Sequence, residues 1–231
     1  MSIHSLWYKR RFHIGTPKNM EKYERILNAA IKVFAEQGFH QSTVSQIAGE
    51  AGVADGTIYL YFKNKDDILV QFYEFKTSQV FQRFRKEVDK VDTAVEKLRR
   101  LIYTHLYEFQ NDRHMAIVFQ AETHQKKRLA GEQIRKISKL YRDIISELVE
   151  LGQEDGTMRR DLYLGLVKRF INGAIDEVIN SWIHTDGSYD LVSMADPLAD
   201  LIIRGIGNHG VASPVKVRHL PKEQKGNPVI T

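Results

Sequence analysis

The chain is expected to be an all-α protein of about nine helices, a three-helix domain with a helix-turn-helix followed by a larger helical domain. Three observations predict this. Apolar residues recur at three- and four-residue spacing over most of the length, strand-like alternation is absent, and four of the 5 prolines fall in the two tails. At 231 residues the chain can bury a sizeable core as one domain or two.

The elements follow in order. Tyr23 to Gln37 reads as a first helix with Ile26, Ala30, Val33 and Phe34 inward, ended by Gly38, after which Phe39 restarts the core. Thr43 then stands as an N-cap before Val44, Ile47, Ala48 and Ala51, which share one face of a short helix. The positive end of that helix also favours a phosphate. Gly52 supplies the left-handed backbone that a sharp turn needs, and Val53 plugs back into the core.

A second short helix is expected from Ala54 or Asp55 to Phe62, with Ile58 and Phe62 inward. Gly56, Thr57, Tyr59 and Tyr61 are left to its sides and outer face. A glycine allows close approach to a groove, a threonine can meet a base edge, and tyrosines reach bases or phosphates. Lys63 and Lys65 follow where phosphates would lie. A lone pair of tyrosines would more simply be half-buried core, so the weight rests on the whole string.

Asn64 reads as the N-cap of a longer helix, with Asp66 and Asp67 in its first turn and Ile68, Leu69, Phe72 and Phe75 behind them. Further helices are expected from Thr93 to about Phe109, from Arg113 to about Glu122, and from Glu132 to Leu151, where Gly152 is taken as the stop. Residues 162–185 and 191–206 are apolar on more than one side. Two such neighbouring helices point to a homodimer interface, the alternative being a larger internal core.

The string from Thr43 to Lys65 resembles the DNA-binding segment of the TetR family of bacterial repressors. Thr43, Ile47-Ala48, Ala51-Gly52-Val53, Thr57, Tyr59, Tyr61-Phe62 and Lys63 or Lys65 fill that family's pattern. Further along, FKNKDDIL, AIVFQAE followed by HQ, and GAIDEVINSWI before YDL look most like the bacillus regulators of fatty-acid degradation. The resemblance implies a DNA-binding domain at 20–64 and an effector and dimerisation domain at 65–213. It also implies a palindromic operator on double-stranded DNA, a homodimer joined through the last two helices, and a long-chain acyl-CoA effector in place of any resident cofactor.

An acyl chain needs an apolar tunnel, and CoA phosphates need cations at its mouth. Phe72, Leu101, Leu106, Val118, Phe119, Ile144, Phe170, Ile171 and Trp182 are candidate walls, though each could equally be plain core. Arg113, His114, Arg128 and Arg169 are candidate phosphate partners. Arg169 stands within an apolar helix, where a charge calls for a partner such as Asp176 or Glu177. Asn172 and Asp176, four apart, share a face. Two rivals stay open: a TetR-type sensor of a drug or aromatic metabolite that controls efflux, and an enzyme or carrier of acyl thioesters.

Several chemistries lack their signatures. There is no cysteine, which excludes disulfides, thiolate metal sites and a thiol nucleophile and fits a reducing, cytoplasmic compartment. No run is long and apolar enough for a membrane span, and the start lacks a signal-peptide core. GIGNHG at 205–210 matches a dinucleotide fingerprint but follows a helix instead of a strand. His105, His114 and His124 are too far apart in sequence for adjacent helical turns, and no metalloprotease, nucleophile-elbow or Walker pattern occurs, so no enzyme is expected.

The net charge of +5 lies in the tails. The basic extension at 1–19 contributes +4 through Lys9, Arg10, Arg11 and Lys18. The irregular tail at 214–231 contributes +3, which leaves −2 between them. Global charge therefore adds little to a DNA-binding reading. Met20, close to the first helix, is a candidate initiator.

Overall fold

The computed structural model describes residues 17–123 and 130–208. Among these, nine α-helices follow one another: α1 (Pro17–Gln37), α2 (Val44–Ala51), α3 (Asp55–Ile58), α4 (Lys65–Val88), α5 (Ala94–Asn111), α6 (Arg113–Thr123), α7 (Gly131–Glu154), α8 (Leu164–His184) and α9 (Ala195–Ile206). A 3-10 turn at Leu191–Met194 leads into the last. Their inner faces merge into one apolar core from Tyr23 to Ile206. The 214–231 tail, Arg128 and His124 lie outside the described residues.

Helix α1 starts six residues before the expected Tyr23, so Met20 is inside it. Its first position is a proline, whose fixed φ and missing N–H suit a helix start. It buries Tyr23, Ile26, Leu27, Ala30 and Phe34 and packs on α2, α4 and α6, so it touches both halves of the molecule. Gly38 takes φ +80° to end it, and Ser42 Oγ donates to the Gly38 carbonyl at 2.6 Å.

Thr43 caps α2 in a reciprocal box. Its hydroxyl accepts the Gln46 N–H at 3.2 Å, while Gln46 Oε1 accepts the Thr43 N–H at 2.8 Å. Gly52 stands in the left-handed region at φ +62°, and Val53 N–H returns to the Ala48 carbonyl at 3.0 Å. Helix α3 is only one turn, shorter than the expected run to Phe62. The chain continues in tight turns, with Tyr61 and Phe62 N–H both bonded to the Ile58 carbonyl. Phe62 is drawn under the domain to stack on Tyr23 at 5.2 Å, and that burial outweighs helical propensity.

Asn64 caps α4 by accepting the Asp67 N–H at 2.8 Å, with Asp66 and Asp67 in the first turn and Arg85 and Lys86 in the last, as the helix dipole favours. This helix belongs to both halves: it leaves the reader and becomes a wall of the sensor. Helices α5 to α9 pack around it and each other. Arg83 pairs with Glu108 on α5, and Arg85 with Glu147 on α7.

Gly152 does not stop α7, contrary to the sequence expectation. The helix continues to Glu154, and Gly152 is there because nothing larger fits: a Cβ would come within 2.6 Å of Met158 Cγ and 3.2 Å of the Ala94 methyl. Buried Met158 in turn forms an isolated antiparallel bridge with Gly207, tying the end of α7 to the end of α9. The second glycine of GIGNHG is thus a structural helix end. Gly152→Val is expected to lower stability by about 1–3 kcal/mol through overpacking. Urea denaturation checks it, and an unchanged midpoint would show that Met158 relaxes freely.

Candidate DNA-reading surface and effector cavity

The reader presents one outward surface around α3. Gly56 is exposed, and a Cβ there would meet nothing within 4 Å, so the fold itself does not demand the glycine. Thr57 is half-buried and Tyr59 is 58% exposed. Ser45 Oγ donates to Asp55 at 2.7 Å and fixes the start of α3 on α2. Leu60, which sequence reasoning passed over, is 80% exposed beside Tyr59. Its position between two aromatics suggested nothing, since the inner face was already filled by Ile58 and Phe62.

Tyr61 is less free than expected. It is half-buried, with its ring 6.5 Å from Tyr23 and 6.4 Å from Phe62. Lys63 is exposed at the edge of this surface, and its N–H is held by Asp67 at 2.8 Å.

Lys65, expected at a phosphate, is engaged within the protein. Its ammonium donates to the carbonyls of Phe39 at 2.6 Å, His40 at 3.3 Å and Ser42 at 2.8 Å, and sits 4.5 Å over the Phe39 ring. A lysine has three N–H donors, and all three are used. The side chain caps the carbonyls of the loop between α1 and α2, while Lys63 is exposed.

In the sensor half, α4, α5, α6, α7 and α8 surround a cavity of about 90 Å³. Its walls are largely aromatic: Phe72, Tyr73, Phe81, Phe84, Phe109, Phe119 and Tyr141 all line it. Polar groups stand at intervals. His105 Nδ1 lies 2.9 Å from the Tyr141 hydroxyl, both buried, and Asn172 donates to Asp176 at 2.6 Å. Burial pushes the His105 imidazole down to about 3, so it is neutral, and burial with the Asp176 charge raises the Tyr141 phenol well above its ordinary value.

Of the residues expected to bind an effector, Phe72 and Phe119 reach this cavity. Leu101, Leu106, Val118 and Ile144 are buried core and are not among its described lining. Arg113 ties α6 to the end of α8 by donating to Asp186 at 2.9 Å. Trp182 anchors the following turn, its indole N–H donating to the Tyr189 carbonyl at 2.9 Å. Arg169 is exposed and pairs with neither Asp176 nor Glu177 among the described residues, which removes the need for a buried partner. Phe170 is also exposed, outside the cavity. It shares an outer face with Leu166, 61% exposed, while Leu201 on α9 is 69% exposed. In a helix apolar on several sides, periodicity cannot say which side faces inward. Asn172 and Asp176 do share a face, and it is the cavity face.

A three-helix reader carried on the first helix of an α-helical domain with its own apolar cavity defines a DNA-binding transcription regulator that can respond to a small molecule. Residues 26–72 match the family of bacterial regulatory proteins, tetR family, and residues 73–205 match the YsiA-like protein C-terminal region. The chain belongs to the TetR family. It is 40% identical over 187 residues to the fatty acid metabolism regulator protein of Bacillus subtilis (strain 168), covering 81% of this chain and 96% of that protein. The fatty acid degradation regulator FadR of Bacillus halodurans superposes with a TM-score of 0.76 at 37% identity, covering 80% of this chain and 95% of its own. FadR of Bacillus subtilis, in complex with stearoyl-CoA, superposes with a TM-score of 0.74 at 40% identity, covering 80% of this chain and 99% of its own.

Two outcomes follow from the geometry. Lys65→Met, which keeps the stem but removes the ammonium, should destabilise the protein by about 1–2 kcal/mol, since it strands carbonyls bonded by a charged donor. Thermal melts measure this. Operator binding should keep its slope against log salt, and a slope lower by about one would restore the phosphate role.

His105 takes up no proton in the folded state until about pH 3, against 6.5 ordinarily. Below about pH 6.5 the unfolded chain gains a proton that the folded one refuses, so stability falls as pH drops towards 3. The loss should be roughly 2 kcal/mol between pH 7 and 5, and His105→Gln should remove it. Equal pH slopes for both proteins would place the imidazole in contact with water.

Proposed function

We propose that this chain is a ligand-responsive repressor of fatty-acid degradation genes, binding a palindromic operator as a homodimer and released by long-chain acyl-CoA. The observation that carries the reading is α4: one helix is anchored in the reader at Asn64 and lines the aromatic cavity from Phe72 to Phe84. Likeness to a fatty acid metabolism regulator, and to a FadR structure with stearoyl-CoA, supports the choice of effector.

Thr43, Gly56, Thr57, Tyr59 and Lys63 form the DNA contact, with Tyr61 bracing the surface from behind. Two such readers must meet successive major grooves about 34 Å apart. The outer faces of α8 and α9, bearing Leu166, Phe170 and Leu201, join the two copies and set that spacing. Gly173, where a Cβ would meet nothing within 4 Å, lets the partner's backbone approach.

The cavity of about 90 Å³ is smaller than the roughly 150 Å³ that holds one benzene. An acyl chain therefore enters only by parting the aromatic side chains of α4 from α5, α7 and α8. That displacement moves α4 and with it the reader, so the ligand favours the form that does not fit the operator. The effector dissociates intact. The protein needs no resident cofactor and performs no catalysis, and it acts in the cytoplasm, where its DNA is.

The density of rings in the cavity also suits a planar aromatic effector, which is the second reading. A gel-shift assay with a selected operator separates them: palmitoyl-CoA should release the DNA, and indifference to it favours the aromatic ligand. In the same assay Tyr59→Ala should weaken operator binding by about 1–3 kcal/mol while leaving dimer and ligand affinity unchanged. Undiminished operator affinity would remove Tyr59 from the reader.

A further inference from the structure

The aromatic cavity contains polar groups that a saturated acyl chain does not need. His105 and Tyr141 are both more than nine-tenths buried, line the cavity, and meet at 2.9 Å. The Tyr141 hydroxyl has no other acceptor among the described residues, so its proton is directed at His105 Nδ1. A neutral imidazole then carries its one remaining proton on Nε2. That N–H has no partner among the described residues. It is also fixed in direction, because the rings of Phe84, Phe109 and Tyr141 lie 5.4, 4.9 and 5.0 Å from the imidazole. Helix α8 supplies the complementary half. Asn172 turns its amide N–H to Asp176 at 2.6 Å, which leaves its carbonyl oxygen as an acceptor without a partner among the described residues. The charge of Asp176 is felt by the Tyr141 phenol, so the two polar pairs share one neighbourhood of the cavity.

A donor and an acceptor set in aromatic walls match a group that both accepts and donates. A hydroxyl does both, and a thioester carbonyl only accepts. A methylene does neither, and packed against His105 it would bury the N–H unpaired. We propose that the effector is an acyl thioester carrying a hydroxyl on its chain, and that His105 Nε2 and Asn172 Oδ1 form the site that reads it. The proposal rests on the acyl-thioester reading given above and narrows its ligand class. A few well-placed polar groups in an apolar pocket fix a ligand's orientation, and they reject the analogue that leaves them desolvated. Here they also fix the depth to which the chain enters, since only one carbon at a time can stand beside the pair.

The test compares palmitoyl-CoA with a panel of its monohydroxylated isomers, which together place the hydroxyl at each carbon of the chain, on the full-length protein by calorimetry. Wild type should bind at least one alcohol about tenfold or more tightly than palmitoyl-CoA. His105→Phe, of similar volume but without ring nitrogens, should bring that ratio below about threefold, and Asn172→Leu should do the same. Each variant is judged by a ratio of two ligands, so a loss of packing common to both cancels. If wild type prefers no alcohol, the hydroxyl site is overturned and the effector reading stands. A preference that both variants keep overturns it too, because the hydroxyl then sits elsewhere. Binding of no ester at all overturns the acyl-thioester reading as well. Weakening of palmitoyl-CoA itself by about tenfold in His105→Phe, with no alcohol preferred, gives His105 to the thioester carbonyl and overturns the hydroxyl site. The ketone that matches the preferred alcohol accepts but cannot donate, so it should lose most of the advantage; a ketone bound as tightly as the alcohol removes Asn172 and overturns the two-sided pairing.

Discussion

The buried ring of Tyr23 connects the part of the molecule that can meet DNA to the part that can hold a ligand. It stacks on Phe62 at the end of the reading surface and meets Phe75 of α4 edge-on at 5.8 Å. Its hydroxyl donates to Gln71 Oε1 at 3.0 Å, and Gln71 donates to Asp67, which also holds the Lys63 N–H. The turn that follows α3 is therefore fastened to α4 from two sides. Its innermost link, Tyr23 with Gln71, is buried, and breaking it would leave a desolvated group unpaired.

At its other end α4 is held less evenly. Its sensor part is sandwiched by aromatic rings around a small void, and ring contacts such as Phe84 with Tyr141 at 5.8 Å are apolar and adaptable. The stiff end and the yielding end are on the same helix. Polar connections around the void, His105 with Tyr141 and Asn172 with Asp176, give the packed state a definite geometry to leave.

Much of the reader was legible in the sequence because its determinants are local. Thr43, Gly52 and Asn64 act on backbone groups a few residues away, and each stands where its type predicts. The internal bonds of Lys65 were not legible, for the opposite reason. Its partners are the carbonyls of Phe39, His40 and Ser42, more than twenty residues earlier, and a lysine beside a DNA-binding helix carries no mark distinguishing a phosphate contact from an internal cap. Gly152 misled similarly: a glycine near a helix end commonly ends it, but this one makes room for Met158, and only the returning chain reveals that.

The sequence by itself determined the helical class, the helix-turn-helix and most helix starts, since periodicity and capping are properties of short segments. It also determined that α8 and α9 have more apolar surface than one core can use. Only the tertiary structure decided which side of α8 faces the cavity, taking Asn172 and Asp176 inward and leaving Phe170 outside. It alone assembled the cavity walls from five helices. The physical reason is that a cavity is defined by surfaces distant in sequence, and no residue records which others will pack against it.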